Sequence, residues 1–334
     1  MFRYIVAAAA LLMTTAAQAS DDCKETLIWC DGTYHPALTD YNKKVRPYYA
    51  TDSVFDDFND YRAVGYTGEG VDILVYDIFK NDGVDGDLRD GTPDLDTNSD
   101  NHGNSMAFIV SKLVPRADIY AESYQSWKGQ AIGPGETWSS PDSNSKRFVE
   151  KFTKREYDVV NMSMQAGDVT YSFFLDFYKS GHKVPVTVFS AGNDSSKCEN
   201  GCNDLADSFL DLEFVDYGVA LDGTIEKFAE STIIALALEE DGKKLASYSN
   251  HAGKYKDSAL AVPVYPYGGT SSAAPVISAA AAMVKQRFGN VSSSQIVEIL
   301  LTTADDLGDE GVDSKYGNGR LNLSRALSPN SRLH

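Results

Sequence analysis

The chain has 334 residues, of which 48 are acidic and 30 are basic, and its formal net charge is −18. So acidic a surface repels polyanions, which excludes nucleic acid as a partner. The length allows one large domain with a substantial core.

The first 19 residues have the pattern of an export signal. Arg3 supplies a positive start, residues 5–13 are apolar, and the small residues Ala17 and Ala19 precede a cleavage site. The apolar run is far shorter than the roughly 20 residues that span a bilayer. We therefore expect a mature protein that is secreted or periplasmic and has no contact with a membrane.

Residues 20–44 are rich in Tyr, Asp and Asn and are predicted to form an N-terminal extension that wraps the domain. The four cysteines fall into two close pairs along the chain, Cys23 with Cys30 and Cys198 with Cys202. This spacing favours two small-loop disulfides in an oxidising compartment. A zinc site is the alternative, although no His-x-x-x-His partner accompanies the cysteines. Whether Cys23 pairs with Cys30 stays open.

From residue 71 onward, short apolar runs alternate with helical patterns. Runs that are apolar on both faces are typical of strands covered by helices on both sides, and the alternation favours right-handed βαβ crossovers. The sequence predicts an α/β domain over residues 45–334, with a mostly parallel central sheet between two helical layers. The predicted strands are 71–76, 118–123, 158–164, 185–190 and 232–238. The predicted helices are 104–113, 145–155, 272–288 and 293–303, the last capped by Ser292 or Ser293.

Polar residues follow three of these strands. Asp77 ends the first, Ser163 lies at the end of the third, and Asn193 follows the fourth after two small residues. In open α/β sheets the functional groups lie beyond the carboxyl ends of the strands. For Asn193 an ordinary turn is the alternative.

Two further residues stand at predicted helix starts. His102 precedes Gly103 and an apolar helical run, and a structural histidine is the alternative there. Ser271 follows Gly268 and Gly269 and precedes an Ala-rich helix, with Pro275 interpreted as part of its first turn. The free N–H groups and macrodipole of a helix start favour developing negative charge beside Ser271.

The motif Gly-Thr-Ser-Ser-Ala-Ala-Pro over residues 269–275 is similar to the nucleophile signature of the subtilisin-like serine proteases, or subtilases. Ser272 is its one departure, since Met is usual there. Other segments resemble the same family in the same order, so the resemblance covers residues 45–327. These segments are 65–77, 102–103, 114–120, 160–163, 190–193, 246–250 and 316–322.

The resemblance implies a three-layer subtilisin-like fold and a serine endopeptidase with a catalytic triad. Ser271 would be the nucleophile, His102 the general base, and Asp77 the group that orients the imidazole. Asn193 would hold the oxyanion together with the Ser271 N–H. A protein or peptide substrate would bind as an added strand. The residues implied to contact it are Ser163, Met164, Gln165 and Gly192.

Some positions depart from the family pattern. Ile78 and Phe79 follow Asp77 where a small hydroxyl residue and Gly are usual, and Gln165 stands where Gly usually lines the specificity pocket. Residues 20–44 are too few for the inhibitory chaperone domain of many relatives. Unaided folding, a separate inhibitor or chaperone, and another restraint on activity therefore remain open.

The chemistry requires no cofactor, but the acidic run over residues 82–100 is a candidate site for structural Ca²⁺. Asp94, Asp96, Asn98 and Asp100 alternate as in a calcium loop, although no Glu occupies its twelfth position. A solvated acidic loop is the alternative.

Three functions are compatible with these residues. Peptide-bond hydrolysis is the leading hypothesis. A catalytically impaired relative that binds peptides or a partner is the second, and acyl transfer to an amine is the third.

Overall fold

The computed structural model describes residues 29–30, 33–34, 56–77, 102–123, 155–163, 181–193, 195, 230–264 and 268–328. Several predicted features lie outside these residues. They are the export signal, the acidic run 82–100, all but the last residue of the helix predicted at 145–155, Met164, Gln165, Cys23, Cys198 and Cys202.

Within the described residues, eight strands form one sheet in the order β2-β1-β4-β3-β5-β6-β7-β8. The pairings among β3 to β8 are all parallel, which confirms the predicted mostly parallel sheet. The strands are β1 Trp29–Cys30, β2 Thr33–Tyr34, β3 Asp72–Asp77, β4 Asp118–Ser123, β5 Val159–Met162, β6 Val186–Ser190, β7 Thr232–Leu238 and β8 Ala259–Pro263.

The strands predicted at 118–123 and 232–238 have those bounds in the structure, and the other three differ only at their ends. β8 was not predicted, because it is short, rich in alanine and ends on a proline, all of which weaken a strand signal. The antiparallel pair of β1 and β2 was not predicted either. It joins the sheet beside β4, so part of the N-terminal extension belongs to the sheet.

The described helices are α1 Asp56–Ala63, α2 His102–Leu113, α3 Thr270–Phe288, α4 Ser293–Thr302 and α5 Leu323–Ala326, with a 3-10 helix at Gly253–Ser258. Ser292 caps α4 as predicted, and Gln295 completes a capping box. Both α2 and α3 begin two residues earlier than predicted, so His102 and Ser271 lie inside first turns.

Pro275 is the sixth residue of α3, so its predicted place in the first turn is wrong. A proline here removes the N–H that would bond to the carbonyl four residues earlier, which belongs to Ser271. The helix nevertheless continues to Phe288, because it is buried along most of its length.

α2, α3 and α4 pack on one face of the sheet and form the main core with it. Residues 279–282 of α3 are four fully buried alanines, which let the helix backbone approach the strands closely. On the opposite face, Tyr255 of the 3-10 helix and Tyr316 cover β7 and β8. The sheet is thus covered on both sides at this end.

Candidate active site

Three adjacent parallel strands end at the same edge of the sheet and carry the polar residues there. Asp77 is the last residue of β3, Ser163 follows β5, and Asn193 follows β6. β5 lies between β3 and β6. The topology therefore brings together residues that are far apart along the chain.

Asp77 and His102 form a close pair, with 2.6 Å between Asp77 Oδ1 and His102 Nδ1. The carboxylate is buried, whereas the imidazole is 39% exposed. The hydrogen bond to Asp77 raises the pKa of His102 above its usual 6.5, and the carboxylate charge adds to this against the opposing effect of burial. Because Nδ1 donates to the carboxylate, Nε2 is left as the basic nitrogen.

Ser271 is the second residue of α3, and its hydroxyl donates to the carbonyl oxygen of Ser163 over 3.2 Å. The nucleophile candidate thus lies against the end of β5. The chain reaches this position through Gly268 and Gly269, whose φ angles of 77° and 76° favour glycine.

Thr270 orients the side chain of Asn193. Asn193 Oδ1 accepts from the Thr270 N–H at 2.8 Å and from the Thr270 hydroxyl at 3.0 Å. The same hydroxyl oxygen accepts from the Gly192 N–H at 3.0 Å. Because Oδ1 is engaged in this way, the amide is turned so that Nδ2 faces away from Thr270.

The two candidate oxyanion donors both lie near Gly269. A methyl group built on Gly269 would lie 3.7 Å from Asn193 Nδ2 and 3.8 Å from the Ser271 nitrogen. The same methyl group would lie 4.0 Å from Asn193 Oδ1. The helix start adds a dipole that favours negative charge here.

Sequence reasoning missed the residues that support these groups. Thr270 belongs to the motif, but its bonds to Asn193 were not anticipated. Asn250 belongs to the segment 246–250, but its bonds were not anticipated either. Its backbone N–H donates to the Gly192 carbonyl and its side-chain amide to the Ala191 carbonyl, each at 3.0 Å. Both backbone groups of Gly192 are therefore bonded within the chain. Thr270 and Asn250 stand out because they are polar and buried, and burial is known only once the fold is known.

The described residues contain no group of three or more His, Cys, Asp or Glu side chains arranged to hold a metal ion. None of the described helices has the length and apolar character needed to cross a membrane.

The model of the subtilase family matches residues 53–319. Serotype-specific antigen 1 of Mannheimia haemolytica is 36% identical over 160 residues, which are 42% of this chain and 15% of that protein. Subtilisin DY of Bacillus licheniformis is 26% identical over 69% of this chain and 78% of its own length. An extracellular serine protease of Serratia marcescens is 47% identical over 60 residues, or 18% of this chain and 6% of that protein.

Solved structures show the same fold at low identity. The MycP3 protease of a type VII secretion system has a TM-score of 0.52 and 19% identity, covering 91% of this chain and 92% of its own. A lanthipeptide protease has a TM-score of 0.51 and 18% identity, covering 82% and 92%. With the family match over residues 53–319, the chain belongs to the subtilase family and has its three-layer α/β fold.

Proposed function

We propose that this chain is a secreted or periplasmic serine endopeptidase that hydrolyses peptide bonds through an acyl-enzyme. The observation that supports this best is the 2.6 Å bond between Asp77 and His102, at the sheet edge where the first turn of α3 carries Ser271. A buried carboxylate paired to a partly exposed imidazole orients the imidazole as a general base.

In the proposed mechanism, His102 Nε2 takes the proton of Ser271 as Oγ bonds to the substrate carbonyl carbon. Asn193 Nδ2 and the Ser271 N–H bind the resulting oxyanion. His102 then returns the proton to the leaving amine, and the C–N bond breaks. Water attacks the acyl-enzyme by the same route and releases Ser271. Asp77 stabilises the imidazolium throughout.

We further propose that an extended peptide pairs with the chain after β5, around Ser163, Met164 and Gln165. Ser163 lies at the carboxyl end of β5, next to the nucleophile. Main-chain pairing of this kind binds peptides of many sequences, which suits a protease.

Export is supported by the leader pattern of the first 19 residues and by relatives described as extracellular or autotransporter proteins. The chain spans only 15% of the Mannheimia protein and 6% of the Serratia protein. The activities and partners of those larger proteins are therefore not transferred to it.

The test is labelling of the purified mature protein by a fluorophosphonate, with the adduct located by peptide mass mapping. We expect an adduct on Ser271 in the wild type and none in Ser271→Ala, whereas Ser111→Ala keeps the label. Assays run with Ca²⁺ and with a chelator, because residues 82–100 are a candidate calcium loop. A folded wild type that stays unlabelled under both conditions contradicts the proposal.

A peptide blocked at both ends then separates the remaining functions. An endopeptidase cleaves it internally and adds one water to the product masses, whereas acyl transfer adds an amine instead. The catalytically impaired alternative is favoured by Ile78 and Phe79 after Asp77, and it predicts peptide binding without any cleavage.

A further inference from the structure

A polar contact joins α3 to β5 two helical turns beyond the nucleophile. The Ser278 hydroxyl donates to Asn161 Oδ1 at 3.1 Å. Asn161 Nδ2 in turn donates to the Ser163 hydroxyl at 2.9 Å. Ser278 and Asn161 are fully buried, and Ser163 is 4% exposed.

These bonds close a ring with the nucleophile. Ser271 and Ser278 are seven residues apart, so they share one face of α3. Asn161 and Ser163 are two residues apart, so they share one face of the strand and its continuation. The hydroxyl of Ser271 donates to the Ser163 carbonyl, and the hydroxyl of Ser278 donates to Asn161 Oδ1, so α3 is bonded to the end of β5 at two points.

The surroundings of this contact are apolar. Asn161 lies opposite Val75 on β3 and Val188 on β6, both fully buried. An amide placed among such residues loses its water and is tolerated only because its groups are bonded. An apolar residue at position 161 would cost less in desolvation than Asn161 does. The polar contact instead fixes how β5 and α3 are placed relative to each other, because hydrogen bonds are directional.

We propose that Ser278 is a positioning residue that acts through Asn161 to fix Ser163 relative to the nucleophile Ser271. The inference rests on the proposed peptidase function and deepens it. Without the Ser278 hydroxyl, Asn161 Oδ1 loses its donor in α3, and a hydrogen bond between β5 and the helix that carries Ser271 is lost. Since reacting groups misplaced by about 1 Å lose large factors in rate, a small relaxation here lowers the reactivity of Ser271.

The test compares Ser278→Ala with Ser111→Ala. Ser111 is a matched control: it is 1% exposed, lies in α2 nine residues after His102, and donates to the Phe108 carbonyl within its own helix at 2.8 Å. The readout is the second-order rate of a small fluorophosphonate with Ser271, which needs no bound peptide, together with kcat and KM for a blocked peptide.

We expect Ser278→Ala to lower the fluorophosphonate rate and kcat by about 3- to 10-fold, with KM changed less than kcat. Ser111→Ala should change all three by less than about twofold while losing a similar amount of thermal stability. Equal rates for Ser278→Ala and wild type, or equal losses in the two variants, would overturn the proposal.

A double-mutant cycle tests whether Ser278 acts through Asn161. In an Asn161→Ala background, Ser278→Ala should cause no further loss of rate, because the bond is already absent. Additive losses would contradict the proposed route. If Asn161→Ala does not fold, the comparison with Ser111→Ala decides alone.

The outcome for the wild type separates this inference from the function on which it rests. If Ser271 reacts equally fast in wild type and in Ser278→Ala, the positioning role is refuted and the proposed peptidase function stands. A folded wild type that never reacts at Ser271 refutes both.

Discussion

The Asp77–His102 pair shows how one buried carboxylate sets the chemistry of a neighbouring side chain. Asp77 is 1% exposed, so its charge is poorly screened at 2.6 Å from His102 Nδ1. The bond outweighs the desolvation of the imidazole, and the pKa of His102 is raised. His102 is the proposed general base, so this shift determines the pH at which it can accept a proton.

The first prediction at this scale concerns pH. Only neutral His102 accepts the proton of Ser271, so kcat/KM should fall as pH drops, with a midpoint above 6.5 because the pKa of His102 is raised. Asp77→Asn removes the carboxylate charge and should move that midpoint down and reduce kcat by about 10⁴-fold. NMR titration of His102 checks the shift without relying on activity.

The contribution of His102 to folding stability should decrease as pH rises, whereas kcat/KM should increase. The pKa of His102 is higher in the folded chain than in the unfolded chain. The bond to Asp77 therefore contributes its full stabilisation below the unfolded pKa and loses it as pH rises through the folded pKa. A His102 that titrates at the same pH in Asp77→Asn and wild type would refute both statements.

At the scale of elements, α3 is flanked by two glycines with similar positive φ angles. Gly269 has a φ of 76° before the first turn, and Gly289 has a φ of 68° after the last. A side chain at either position is unfavourable by about 1–3 kcal/mol. Only Gly269 lies beside the two candidate oxyanion donors, because nothing lies within 4 Å of a methyl built on Gly289.

The two glycines therefore form a matched pair of variants. Gly269→Ala and Gly289→Ala should lower the free energy of unfolding by similar amounts, measured in urea. Gly269→Ala should also reduce kcat by about 10²-fold, the loss typical of removing an oxyanion donor, because its methyl occupies the space between Asn193 Nδ2 and the Ser271 nitrogen. If the two variants have equal kcat, the oxyanion site lies elsewhere.

At the scale of the whole molecule, distant segments are joined by a few side chains with several bonds each. Gln286, near the end of α3, accepts from the N–H groups of Thr67 and Gly68 at 2.9 Å and donates to the Gly65 carbonyl at 3.0 Å. These residues lead into β3, which ends on Asp77. One side chain thus links the helix of the nucleophile to the approach to the carboxylate strand.

Gln286→Ala should lower the free energy of unfolding by about 2–3 kcal/mol, because three hydrogen bonds of about 0.5–1.5 kcal/mol each are lost. Gln295→Ala is the matched control, since Gln295 is an exposed glutamine whose side chain accepts from the Ser292 N–H at 2.9 Å in a capping box. That variant should cost about 1 kcal/mol. Equal losses in urea unfolding would show that the Gln286 bonds contribute little.

Much of the architecture could be predicted from local patterns. Buried parallel strands contain apolar runs, so β4 and β7 were located with their bounds. The helix starts at His102 and Thr270 were located to within two residues. β8 and the pair of β1 and β2 were missed. Their residues are too few to show a period, and only the neighbouring strand makes them strands.

The sequence by itself determined the order of the site residues and the kind of fold that carries them, because residue types and apolar spacing are local properties. Only the tertiary structure decided how these residues are oriented. His102 bonds to a residue 25 positions away, Thr270 to one 77 positions away, and Ser278 to one 117 positions away. No local pattern encodes such partners, since they meet only after strands from separate parts of the chain have paired and α3 has packed across them.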